Sequence, residues 1–413
     1  MRIEVPYGKN GLQPLDVPDG NLSGVIRPNE VMSTGGPEAI RLGLEHPFGA
    51  RTLREFLEGA EDVVFIVNDG TRPTPTSQVL KVLEESIRME RHRFLVATGA
   101  HRAPTEEEYV QIFGEAIHRL RNKIHVHDAR HDHMVLLGTT RNGTEMWLNE
   151  LAVKADRLVI ITSVEPHYFA GYTGGRKSFL PGVAAYKTIE QNHRLAMRPE
   201  AQALRLDGNP VHEDMVDAIN ELHGKPIFAI QVVLDRHQQI YRVAAGDLQR
   251  SFHKAVEWAN QVFCVDIHEK ADVVISIASY PMDIDLYQSQ KAIENGKRAL
   301  KPGGSIILVS KCRAGIGDEA FYEQLSRSKD PDQVLKNLEV EYKLGHHKAA
   351  KMAELAKCAE INAVTSLEDK TLHDINIVPY RTVQEALDTV LRRRPHAKVM
   401  VIYDGSVVVP KLV

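Results

Sequence analysis

The stretch Glu165 to Ala196, EPHYFAGYTGGRKSFLPGVAAYKTIEQNHRLA, gathers His167, Lys177 and His193 in a run crowded with glycine and proline. Imidazoles are general acids or bases near neutral pH, and they are also metal ligands. An amine in a glycine-rich loop can be a nucleophile or the covalent anchor of a cofactor. Gly171, Gly174, Gly175 and Gly182, with Pro166 and Pro181, argue for backbone held in special φ/ψ or brought close to a ligand. A long loop of this chemistry carries function more often than not. His193 falls on the amphipathic helix that follows, where it is either a metal ligand or a surface histidine.

These residues need a scaffold, and the chain supplies one in a series of strand-length apolar runs. They lie at Val63 to Val67, Phe94 to Ala97, Leu158 to Thr162, Phe228 to Val233, Val273 to Ile277, Ile306 to Val309 and Val399 to Tyr403. Several are continuous rather than alternating, as parallel strands covered on both faces require. Helical patterns lie between them: Ser77 to Met89 carries an apolar stripe, and Thr105 with Glu108 forms a capping-box signature. The alternation predicts an α/β chain of two doubly wound domains. A fresh strand after HEKA sets the expected boundary, giving an N-terminal domain over 1–267 and a smaller, Rossmann-like one over 268–413.

In open α/β sheets ligands sit beyond the carboxyl ends of the strands. Four loops there stand out: Asn68 to Pro75 (NDGTRPTP), Thr98 to Arg102 (TGAHR), the Glu165 segment, and Ser279 to Leu286. In the first, Arg72 either braces a turn or offers a bidentate guanidinium to a carboxylate or phosphate. Asp69 is either an Asx-turn residue or part of the same site. His101 and His167 stand at equivalent places after two strands, which favours acid/base work over isolated structural roles. On the helix after the fourth loop, Tyr287, Gln288 and Lys291 fall near one face.

Composition narrows the class. With 51 Lys and Arg against 55 Asp and Glu, and a net charge of -4, the chain is not built for a polyanion, so no nucleic-acid partner is expected. No run reaches the roughly 18 to 20 apolar residues of a membrane span, and the N-terminus lacks a signal-peptide pattern, so a cytoplasmic enzyme or binding protein is expected. Cys264, Cys312 and Cys358 form no CxxC pair and read as apolar fillers. Three features are discounted. His125, His127, His131 and His133 match no zinc spacing, and the glycines before Arg176 and Lys177 do not have the GxxxxGK[ST] spacing. KPGGSIILV reads as a turn, because no GxGxxG fingerprint accompanies it.

NDGTRPTP, ATGAHRAPTEEE, EPHYFAGYTGGRKSFLPGVAAYKTIEQNH and YPMDIDLYQSQKA occur in an order that resembles the nickel-dependent lactate racemase family. The resemblance runs from about residue 60 to 310 and, in general organisation, over most of the chain. It implies two α/β domains with the active site in the cleft between them. It also implies a nickel-pincer nucleotide, pyridinium-3,5-bisthiocarboxylic acid mononucleotide, held covalently on Lys177, with His193 completing the nickel coordination.

By the same resemblance His101 and His167 are the two acid/base histidines. Asp69, Gly70, Thr71 and Arg72 form the turn that contacts cofactor and substrate, and Tyr287, Gln288 and Lys291 lie at substrate-binding positions. The implied reaction is racemisation or epimerisation of a 2-hydroxy acid by proton-coupled hydride transfer through a 2-keto acid. Proteins that make the cofactor are the implied partners. The family often has a second Asp where this chain has Asn68, and neither Trp147 nor Trp258 lies in the C-terminal domain, where lactate-specific members place a tryptophan. The substrate is therefore lactate or a larger analogue. The rival classes are a non-catalytic protein that binds the same cofactor and an NAD-dependent oxidoreductase, the latter disfavoured by the missing dinucleotide fingerprint.

Overall fold

The apolar runs form the strands of two sheets, one in each of two compact units. The computed structural model describes residues 1–340 and 342–413. One unit comprises 30–262 and the other joins 1–29 to 263–413.

The 30–262 unit is built on a six-stranded sheet. Its spatial order is Ile240–Gly246, Ile227–Leu234, Arg157–Ser163, Val63–Asn68, Arg93–Ala97 and Ile124–Val126, all parallel except the first. Val63 to Val67 are all buried, as continuous hydrophobicity requires of a strand with both faces covered. Phe65, fully buried, packs at 5.5 Å from Phe94, and its loss to Ala would cost about 3–5 kcal/mol. Helix Thr76–Leu83 buries Val79, Leu80, Val82 and Leu83, and ends earlier than the predicted Met89. Thr105 does cap helix Glu106–Phe113 through a complete capping box with Glu108.

The chain leaves Val63–Asn68 toward Arg93–Ala97 on one side, then returns to lay Arg157–Ser163 on the other. The strand order therefore reverses between Val63–Asn68 and Arg157–Ser163, and the crevice beyond their carboxyl ends is where such sheets bind ligands.

The other unit also has six strands, all parallel, in the order Val378–Tyr380, Glu360–Val364, Leu300–Val309, Ala271–Ile277, Val399–Ile402 and Leu22–Ile26. The last strand corrects the expected division at 267/268. Val25 pairs with Val401, and Ile3, Val5, Leu15 and Val17 share a core with Val273 and Ile275, so the first 29 residues belong with the C-terminal part. The reason is hydrophobic: that sheet edge and the helix Val383–Arg393 need a cover that the later sequence does not provide. KPGGSIILV lies inside strand Leu300–Val309, its glycines at a register irregularity opposite Ala271 and Val273.

Candidate active site

Three of the predicted loops meet at the switch point. Thr74 Oγ1 lies 2.9 Å from Ser163 Oγ, joining the loop after Val63–Asn68 to the end of Arg157–Ser163. The Gly99 amide donates to Gly182 O at 2.9 Å, tying the His101 loop to the Glu165 segment.

His101 is held by a carboxylate. Its Nδ1 lies 2.8 Å from Asp69 Oδ2, while Asp69 Oδ1 accepts from the Thr71 amide at 3.2 Å and the Thr71 hydroxyl at 2.7 Å. Burial pushes the Asp69 carboxyl up, but the hydrogen bond and charge of His101, with Arg72 and Thr71, outweigh it and hold the pKa below the usual value. Asp69 is 3% exposed and the His101 side chain 40%, so an ionised buried anchor orients an accessible imidazole. The Asx-turn reading of Asp69 is therefore realised, and the same carboxylate holds His101. Gly70 is required because a Cβ there would lie 2.6 Å from Glu108 Cγ.

His167 is held by packing. It pairs with Gly171 in a two-residue antiparallel ladder, stacks on Tyr168 at 5.0 Å and meets the Phe169 edge at 4.5 Å. Its Nδ1 accepts from the Ala170 amide at 3.3 Å, and its Nε2 is 3.4 Å from Lys177 Nζ. Phe169 is the hub that sequence reasoning missed. Lys177 Nζ lies 5.3 Å from its ring centroid and the His193 ring 5.1 Å, so one aromatic side chain touches all three reactive groups of the segment. Its place two residues after His167 was the available signal.

His193 sits on helix Tyr186–Arg194, whose neighbouring Asn192 is fixed by Asp214 at 2.9 Å. Fully buried Asp214 also accepts from Thr140 and Thr144, which locks the helix against the hairpin Met134–Asn149. Burial first, then the charges of Lys177, His101 and Arg72, push the His193 pKa down to about 3, against an opposing hydrogen bond with the Ile189 backbone. The imidazole is thus neutral at physiological pH, the form that binds a metal. Those charge effects also place Arg72, His101, Lys177 and His193 in one electrostatic neighbourhood.

Of the two expected explanations for the glycines, the structure bears out special backbone conformation. Gly171, Gly174 and Gly175 take positive φ, and added Cβ atoms would strike Arg205 O, Val164 Cγ2 and the Phe252 ring respectively, while at Gly182 the obstacle is Ser178 O. Their close approaches are to the protein itself, so they are needed to fold the loop.

Tyr287, Gln288 and Lys291 belong to the other unit, on helix Leu286–Gly296. The Asp285 carboxylate caps it, accepting from the Gln288 amide at 2.6 Å. Tyr287 packs edge-on to Phe321 at 5.7 Å, and Lys348 Nζ lies 3.6 Å from its ring centroid. Of the discounted histidines, His125 and His127 both face Asp132, at 2.8 and 3.6 Å, and His131 pairs with Asp128. Among the described residues no helix is long and apolar enough to cross a membrane.

Known proteins share this arrangement. Residues 7–204 match the model of the lactate racemase N-terminal domain and residues 266–409 that of the lactate racemase C-terminal domain. A lactate racemase of Thermoanaerobacterium thermosaccharolyticum is 35% identical over 81% of this chain and 80% of its own. One from Lactiplantibacillus plantarum is 32% identical over the whole of both chains. The solved apoprotein of the Thermoanaerobacterium thermosaccharolyticum lactate racemase superposes over both full chains with a TM-score of 0.92 at 32% identity. A Thermotoga maritima protein, 17% identical over 93% of this chain and all of its own, shares the fold with a TM-score of 0.70. With both halves matched and the fold reproduced along its whole length, the chain belongs to the lactate racemase family of isomerases.

Proposed function

We propose that the chain interconverts the stereoisomers of a 2-hydroxy acid, lactate or a larger analogue, with a nickel-pincer nucleotide held covalently on Lys177 and its nickel bound by His193. The observation that carries the reading is the convergence of His101, His167, Lys177 and His193 beyond the carboxyl ends of adjacent strands.

The residues fit that group. Among the described residues no three His, Cys, Asp or Glu side chains gather to hold a metal, so nickel here would take its remaining donors from the nucleotide. The neutral imidazole of His193 suits a late transition metal, and Phe169 offers an aromatic face beside the anchoring amine. Bound there, the nucleotide supplies an acceptor for the hydride of the substrate Cα.

The chain's own residues handle protons and orientation. With Asp69 accepting from His101 Nδ1–H, the lone pair sits on Nε2, ready to take the hydroxyl proton. His167 accepts the Ala170 amide on Nδ1, so its neutral form carries the proton on Nε2 and can donate a hydrogen bond to a substrate oxygen; it becomes an acid only as imidazolium, once Nδ1 takes up a proton and releases the Ala170 amide. One histidine takes the hydroxyl proton as base and the other, as imidazolium, returns a proton to the oxygen of the reoriented keto acid, and the roles exchange for the opposite enantiomer. Arg72 would clamp the carboxylate and keep the planar keto acid from escaping. Proteins that build the nucleotide are the partners required, sharing the cytoplasm with the enzyme.

The test is to co-express the chain with cofactor-making proteins, then measure intact mass, nickel content and enantiomer exchange over 2-hydroxy acids of varied side chain. The expected result is an adduct on Lys177, nickel, and exchange of at least one acid. Absence of both adduct and nickel would overturn the reading, and loading without turnover of any acid would leave a carrier protein instead.

A further inference from the structure

Arg176 lies beside Lys177 in sequence but points the other way, and it is 3% exposed. Its Nη2 donates to the carbonyls of Ala170 at 2.7 Å and Tyr172 at 2.9 Å, and its Nη1 to those of Thr173 at 3.3 Å and Gly174 at 3.4 Å. Its guanidinium lies 4.4 Å from the Phe252 ring centroid. Among the described residues no carboxylate pairs with it. A buried cation without a counter-charge is costly, and here backbone dipoles compensate it.

The four carbonyls belong to the reverse turn between His167 and Lys177. With both nitrogens of one planar fork engaged, the turn is drawn to a single point on the protein side. Gly174 and Gly175 make this possible, since both take positive φ and a Cβ at Gly174 would lie 2.4 Å from Val164 Cγ2. The opposite side of the same turn presents Lys177 Nζ and His167 Nε2, 3.4 Å apart.

We propose that Arg176 is a positioning residue: by gathering the carbonyls of 170, 172, 173 and 174 it sets the placement of Lys177 against His167. The proposal rests on the functional reading only in treating Lys177 as the cofactor anchor.

The test uses the full chain with Arg176→Lys, which keeps the charge and loses the fork, and Arg176→Gln, which loses both. After folding is checked by circular dichroism, acylation of Lys177 by an amine-reactive ester is followed by peptide mass spectrometry, with exposed Lys154 as internal reference. Adduct occupancy on co-expression, and kcat and KM per loaded site, are then measured. The expected result for Arg176→Lys is a change of about tenfold in Lys177 acylation relative to Lys154, with a similar fall in kcat per loaded site and KM nearly kept. Folded variants with parental acylation and parental kcat would overturn the proposal. If neither variant folds, Phe252→Leu decides, because the ring backs the guanidinium and its loss lets the fork shift away from the four carbonyls. A shift in Lys177 acylation supports the proposal, and an unchanged rate overturns it. Should the parent itself carry no adduct, the functional reading fails, while the acylation arm still reads the role of Arg176.

Discussion

The loop carrying His101 and the segment carrying His167 hold their imidazoles by opposite means. His101 is accessible and tied to a buried carboxylate, Asp69, which is braced by Thr71. His167 is buried among aromatic rings and takes its orientation from the Ala170 amide and a turn pinned by Arg176. The first device fixes a proton on Nδ1 and the second fixes it on Nε2. In the neutral rings one Nε2 therefore offers a lone pair and the other an N–H.

The hardest blow to the comparison is removal of either imidazole. His101→Ala and His167→Ala are each expected to lower enantiomer exchange by about 100- to 10,000-fold with nickel and the Lys177 adduct retained. Full activity in either variant would sink the two-histidine scheme. Asp69→Asn comes next, because it preserves shape but removes the charge that Nδ1–H needs. It should slow exchange less than His101→Ala and leave Lys177 acylation at the parental rate, so a change in that rate would mean that the two devices are not separate.

The smallest effect concerns stability. His193 and His212 both have folded pKa values pushed down to about 3 from 6.5, chiefly by burial, with Arg176 second for His212. Between those values the unfolded chain binds protons that the folded chain refuses, so stability is full above about pH 6.5 and falls as pH drops toward 3. Thermal denaturation from pH 7.5 to 4.5, a range chosen to bracket ordinary histidine titration, should show a falling midpoint, and His212→Gln should flatten the slope. A slope unchanged in His212→Gln would place the acid sensitivity elsewhere.

Much of the scaffold was legible because continuous apolar runs have few alternatives to buried parallel strands. All seven runs are strands, and the Thr105 capping box is present where its spacing put it. The loops that follow those strands were readable for the same reason, and three of them do meet. What failed was partnership. LSGVI is short and half-buried, and nothing local says that its neighbour is Val399–Ile402. Polarity also misleads in helix His346–Ala356, which buries His346, His347, Lys348 and Lys351. The glycines of the Glu165 segment pointed correctly to close approach, but the approaching groups are Arg205, Val164, Phe252 and Ser178.

The pairing of Leu22–Ile26 with Val399–Ile402 also bears on how the chain is made. The two strands are separated by 377 residues (399 minus 22). At about 5–20 residues per second, the early strand leaves the ribosome about 20 to 75 s before its neighbour exists. Throughout that interval its unpaired amides and carbonyls can template a wrong partner, whereas Val63–Asn68 and Arg93–Ala97 emerge almost together. Yield in a foreign host should therefore respond to chaperone supply and to slower translation more through these first residues than through the 30–262 unit.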